Sequence, residues 1–187
     1  DVVLSRGLGD VYKRQGSYTV KPEVDSDEIT NYEFGWKTIS KDGQLRFNGS
    51  AFMVDVAGLQ STIFDPSIVN LFFSDNAADA EIKGVEGDFT YFTDVEGLSV
   101  AGAFSFLDTE ITKKLVPTDD VIVGEELAFA PGVQANVRVR QEFAMSAGYV
   151  GHVQAQFTYS DESFSDIMEP NKARQAGYSY IDLRAGM

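Results

Sequence analysis

EIKGVEGDFTYFTDVEGLSVAGAFSFLD, residues 81–108, sets the architecture of this chain. It is two alternating runs around a turn. In the first run Val85, Gly87, Phe89 and Tyr91 share one side, and Glu86, Asp88 and Thr90 share the other. In the second, Leu98, Val100, Gly102, Phe104 and Phe106 alternate with Ser99, Ala101, Ala103 and Ser105. A period of two belongs to strands whose faces meet different surroundings. The intervening Asp94-Val95-Glu96-Gly97 has the acidic and glycine residues that a hairpin turn favours. Each arm runs about ten residues or more, roughly twice the usual soluble strand. Strands of about that length cross a bilayer.

The same pattern recurs on both sides. Seven strands are expected, at residues 31–40, 44–57, 81–93, 98–109, 132–143, 148–160 and 177–187, and no helical period of comparable quality is present. Their connections alternate in length. Residues 41–43, 94–97 and 144–147 are short turns, whereas 58–80, 110–131 and 161–176 are expected to be long polar loops. Bacterial outer-membrane barrels have this asymmetry, with short periplasmic turns and long external loops. The expected architecture is therefore all-β: a partial antiparallel transmembrane β-barrel that forms an open sheet of about seven strands. Lipid would take Phe89, Tyr91, Phe104 and Phe106, and the lumen Glu86, Asp88 and Thr90. Counted from the turns, Trp36, Tyr91, Phe143 and Tyr149 form one aromatic band and Phe104, Phe106, Phe157 and Tyr159 a second. A soluble two-sheet sandwich also alternates, but it would bury the apolar face against a second sheet.

Composition narrows the function. The 187 residues carry 15 basic and 29 acidic side chains, a net charge of −14, which disfavours nucleic acid as a partner. There is no cysteine, so disulfides, thiolate metal sites and cysteine nucleophiles are excluded. No apolar run is long enough for a transmembrane helix, which leaves strands as the only way through a membrane. Residues 1–15, DVVLSRGLGDVYKRQ, do not match the pattern of the remaining chain and are expected to be a non-native leader, with the partial barrel domain occupying 16–187. The alternative is a genuine strand entering from upstream.

Chemical signals are few. No catalytic, cofactor or metal motif occurs, so no catalytic residue, cofactor or metal ligand is assigned. The single histidine, His152, lies mid-strand among Gln and Thr on the polar side. Arg138 and Arg140 share a side with Glu142, where they would pair with a lumen-filling domain or meet an anionic ligand. Phe64, Phe72 and Phe73 fall in an expected loop and are candidates for ligand contact. The ligand-contact candidates are thus Phe64, Phe72, Phe73, Arg138, Arg140 and His152. The acidic clusters Asp25–Glu28, Asp119-Asp120, Glu125-Glu126 and Asp161-Glu162 lack calcium-loop spacing and are read as solvated loop charge, with weak divalent-cation binding as the alternative.

Four runs carry a resemblance to a known family. Pro22-Glu23 followed by NYEFGWK at 31–37, NAADAEIKGVE at 76–86, LAFAPGV at 127–133 and YSYIDLRAG at 178–186 together resemble, in order, the C-terminal barrel of TonB-dependent outer-membrane receptors. The resemblance implies a Gram-negative outer-membrane location among lipid. It also implies uptake of a scarce nutrient: an iron–siderophore complex, cobalamin or an oligosaccharide. Energy would come from the TonB complex, acting through a plug and N-terminal segment expected to lie outside this chain, as are the terminal strands. A passive porin-type barrel is the alternative, and a soluble β-rich adhesin or binding module a third.

Overall fold

The computed structural model of the protein describes residues 23–65, 71–116 and 119–187, without the side chains of 64–65 and 71–73. The expected boundary after residue 15 lies outside the described residues. Among those described, nine strands succeed one another: β1 (Glu28–Ile39), β2 (Leu45–Asp65), β3 (Leu71–Phe92), β4 (Leu98–Lys114), β5 (Val133–Ala144), β6 (Val150–Ser160), β7 (Ser163–Phe164), β8 (Arg174–Gln175) and β9 (Tyr178–Gly186). Seven form one sheet in the order β1-β2-β3-β4-β5-β6-β9, and β7 and β8 form a small separate ribbon. Every neighbouring pair in the large sheet is antiparallel. Among the described residues nothing pairs with the outer edges of β1 or β9, so the sheet is open.

The register confirms the two faces. Directly paired residues point to the same side. Phe89 opposes Gly102, Gly102 opposes Val137, Val137 opposes Phe157 and Phe157 opposes Ile181. Among the described residues no second sheet lies against this apolar face: Phe34 is 72% exposed and Leu183 78%. A sandwich formed within this chain would have buried these side chains, so the described sheet is not one.

Glycines on this face sit under rings. A Cβ on Gly49 would come 2.5 Å from the Trp36 ring, one on Gly87 2.9 Å from Phe104, and one on Gly102 2.7 Å from Phe89. Each of these glycines is the direct cross-strand partner of the ring above it. Glycine weakens a strand interior, and here the neighbouring ring fills the space it leaves. Phe34, Trp36, Phe47, Phe104 and Phe106 continue as a chain of ring contacts with centroids 5.6–6.4 Å apart. Trp36 and Phe104, assigned to opposite bands by counting from the turns, lie in one row of the ladder.

The expected long loops need correction. Residues 58–80 are mostly strand: β2 and β3 remain paired up to Asp65 and Leu71. A bulge between Val56 and Leu59 interrupts the alternation and hides the continuation in the sequence. Gly58 takes φ +73 there, a left-handed conformation that suits glycine. The Asn76 side chain stabilises the irregular backbone. Its Nδ2 donates to Gly58 O at 2.6 Å and to Asp25 O at 2.8 Å, while its Oδ1 accepts from Asp25 N–H at 2.9 Å. The second loop also begins late, because β4 continues to Lys114.

The remaining loops are not simply polar. They close a small core from Ile63, Ala77, Ala78, Ile111, Val116, Val121, Ile167 and Met168, with Leu59, Leu127 and Ala128 against it. Full burial of a side chain such as Ile111 contributes about 1.5–3 kcal/mol. Where β5 has not yet begun, the second loop hydrogen-bonds β4 in its place: Ile111 N–H donates to Glu125 O at 2.8 Å, and Gly124 N–H to Ile111 O at 2.9 Å. The strand edge is thus satisfied by loop backbone.

Candidate functional site: the polar trough and the loop cap

The polar face curls into a trough of about 840 Å³ lined from all seven strands of the sheet, including Glu33, Asn48, Asp88, Asn136, Thr158 and Tyr178. Some of its polar side chains meet across strands. Asn48 Nδ2 donates to Asp88 Oδ2 at 3.2 Å, and Ser50 Oγ to Glu86 Oε1 at 3.4 Å.

Toward the short turns the same face becomes basic. One ladder row reads Arg46, Thr90, Ala101, Arg138, Gln156, Asp182, and the next reads Ser99, Arg140, Gln154, Arg184. Arg140 Nε pairs with Glu142 Oε1 at 2.9 Å. Arg46, Arg138 and Arg184 form no ion pair among the described residues. His152 opposes Glu142 on β5 and Gly186 on β9, and its imidazole lies where a Gly186 Cβ would stand, 2.8 Å from Cε1. The structure therefore brings Arg138, Arg140 and His152 together, and adds Arg46 and Arg184. Sequence reasoning missed these two, although alternation with Asn48 and Asp182 places each on the polar side.

Phe64, Phe72 and Phe73 belong to the opposite end. They are strand residues rather than loop residues, with Phe64 opposing Phe72 and Phe73 opposing Ile63. Their side chains lie outside the described part of the structure. The six expected contact residues thus do not form one site.

At the long-loop end the second and third loops are fastened to each other. Lys172, only 10% exposed, reaches Glu125 Oε2 at 2.5 Å and Glu169 Oε1 at 3.1 Å. Its ammonium also sits 4.6 Å from the centre of the Phe164 ring. Desolvation by itself lowers the ammonium's pKa, but the bonds to Glu125 and Glu169 outweigh it and hold the group above the ordinary lysine value. Glu169 N–H donates to Asp120 O at 2.8 Å, and Val121 bridges to Met168. Arg174 grips Glu162, Nε to Oε2 at 2.9 Å, which raises the guanidinium pKa further. Lys114 takes Asp119 at 3.3 Å. Several carboxylates expected to be solvated loop charge are therefore tethers.

An open antiparallel sheet with an uncovered apolar face, a polar concave face, short turns at one rim and folded loops at the other is a section of a transmembrane β-barrel wall. The chain belongs to the TonB-dependent receptor-like β-barrel family, whose model matches residues 6–187. That family is one of transport receptors, not enzymes, in the Gram-negative outer membrane. No curated protein matches the sequence. Among solved structures it is similar to the ferric yersiniabactin uptake receptor FyuA from Yersinia pestis, at 17% identity and a TM-score of 0.64, covering 84% of this chain and 22% of that one. The siderophore receptor PiuA from Acinetobacter baumannii matches at 20% identity and 0.67, covering 90% and 24%. BauA, the ferric preacinetobactin receptor of the same organism, matches at 21% and 0.61, covering 84% and 22%. The chain thus spans 22–24% of the length of these receptors. In a barrel of this family the apolar face meets lipid and the trough lines the lumen, and the short-turn, long-loop asymmetry of such barrels sets the turns at the periplasmic rim and the cap outside.

Proposed function

We propose that this chain forms part of the barrel wall and external cap of a receptor that takes up a scarce nutrient across the outer membrane with energy supplied through TonB. A ferric siderophore is the favoured cargo. The observation that carries the reading is a barrel-wall fold of this family whose solved neighbours include a ferric yersiniabactin uptake receptor and a siderophore receptor. The lumen wall supports it: its basic lower rows, with Arg46, Arg138 and Arg184, face the space that a lumen-filling domain of the complete receptor would occupy. Carboxylates of that domain would be their partners, and coupling to TonB would run through it.

The test is uptake of radioiron chelates by iron-starved cells with and without the complete receptor. The proposal expects uptake that requires both the receptor and TonB and is abolished by a protonophore. Receptor-dependent uptake that survives loss of TonB would instead mean passive diffusion. Iron uptake indifferent to the receptor would remove the ferric cargo from the account.

A further inference from the structure

Two residues other than glycine hold positive φ among the described residues, Ala147 and Phe129. Ala147 lies in a periplasmic turn. Phe129, at φ 56, is a bulky residue in a conformation that costs it free energy. Burial does not repay that cost, because the residue is 66% exposed. It lines a cleft of about 420 Å³ between the outer half of β2 and the fastened loops. Leu59, Leu127 and Ile167 supply apolar surface there, Gln60 and Asp166 polar groups. Among the described residues the lining contains no basic residue and one acid. Asp166 Oδ1 accepts from Met168 N–H at 3.0 Å, and its other oxygen has no partner among the described residues.

The position is held rather than floppy. Phe129 N–H donates to Phe164 O at 2.8 Å, and Phe164 is the residue whose ring carries the Lys172 ammonium. An exposed ring on a strained but anchored backbone, beside a cleft of small-molecule size, is preorganised to contact something outside this chain.

We propose that this cleft is a recognition site for an aromatic arm of a neutral or cationic ligand, with Phe129 as the contact ring and Asp166 selecting against anionic arms. The proposal rests on the uptake reading and adds the chemistry of the ligand's periphery. Ring-on-ring contact supplies affinity. The Asp166 carboxylate, with no cation beside it among the described lining residues, supplies the charge preference.

The experiment uses the complete receptor in detergent and two net-neutral ferric trishydroxamates, one with phenyl arms and one with aliphatic arms. The phenyl chelate is expected to bind more tightly. Phe129→Ala and Phe129→Gly are each expected to weaken it about tenfold and to leave the aliphatic chelate within about twofold. Phe129→Tyr should retain the preference. Phe129→Gly separates recognition from folding, since glycine suits the backbone there: the thermal midpoint is expected to hold or rise while phenyl affinity falls. Asp166→Asn is expected to improve binding of a chelate with benzoate arms. Equal affinity for the two neutral chelates, phenyl affinity indifferent to both Phe129 variants, or binding of neither chelate overturns the proposal. The uptake reading stands or falls separately, on receptor- and TonB-dependent radioiron entry.

Discussion

Replacing Lys172 with methionine should release the external loops while leaving the barrel wall intact. Methionine retains most of the buried apolar stem and deletes only the charge. The bonds lost are those to Glu125 and Glu169, whose side chains are 42% and 43% exposed, together with the contact to the Phe164 ring. Two half-solvated ion pairs contribute about 0.5–1 kcal/mol each, and the cation–ring contact a similar amount. The sum, about 2 kcal/mol, corresponds to a change of roughly 30-fold in a local opening equilibrium. Hydrogen exchange followed by mass spectrometry on the complete receptor reads that change directly. Peptides holding the Gly124, Glu169 and Asn171 amides, all hydrogen-bonded in the cap, should exchange about 30-fold faster, while β4 and β5 stay unchanged. The pH dependence has a definite sign. A raised folded-state pKa means that the stabilisation is complete below the ordinary lysine value of 10.5 and disappears as pH rises through the folded value. Loop protection, corrected for intrinsic exchange, should therefore be flat from about pH 6 to about pH 9. Unchanged exchange in the variant, or acceleration spread over the whole barrel, would refute a cap held as a separate unit by Lys172.

Three other substitutions probe the wall. Gly102→Val would place a Cβ 2.7 Å from Asn136 O and 2.7 Å from the Phe89 ring; a loss of about 1–3 kcal/mol is expected, read as a lower temperature of barrel unfolding by heat-modifiable gel migration. Asn76→Ala removes the three bonds at the Gly58 bulge and should cost about 2–4 kcal/mol, with early proteolysis around residue 58. Val137→Lys on the lipid face should cost about 2–4 kcal/mol, whereas Asn136→Lys next to it on the lumen face should cost about 1 or less. Equal costs for these two neighbours would contradict the assignment of faces.

The wall was legible because alternation is a local signal. Phe89, Tyr91, Phe104 and Phe106 could be placed on one face by counting in twos, and the ladder agrees. Counting fails where a residue is inserted. The bulge at Gly58 shifted the phase of β2, so Leu59, Ser61 and Ile63 no longer read as its continuation, and a strand of 21 residues looked like one of fourteen followed by a loop. Stagger between strands is equally invisible to counting. Trp36 and Phe104 stand at different distances from their own turns yet share a row. The cap was illegible for another reason: its core joins residues far apart in sequence, such as Ile63, Ile111 and Met168, and no period links them. Lys172 looked like one charge among many until the fold set it between Glu125 and Phe164. Phe129 had even less signal, since its significance lies in a φ angle. Arg46 and Arg184 were within reach of simple alternation and should be read with Arg138 and Arg140.

Vectorial accessibility tests the central claim most directly. This chain contributes no cysteine; in a complete receptor freed of any cysteine elsewhere, single cysteines introduced at Val95, in the β3–β4 turn, and at Asn171, in the cap, report the two rims of the wall. Intact cells carrying the complete receptor are treated with a membrane-impermeant maleimide. If the sheet is an outer-membrane barrel wall with periplasmic turns and an external cap, Asn171→Cys is labelled in intact cells and Val95→Cys only after the outer membrane is permeabilised. Labelling of both in intact cells, or of Val95→Cys alone, would contradict it.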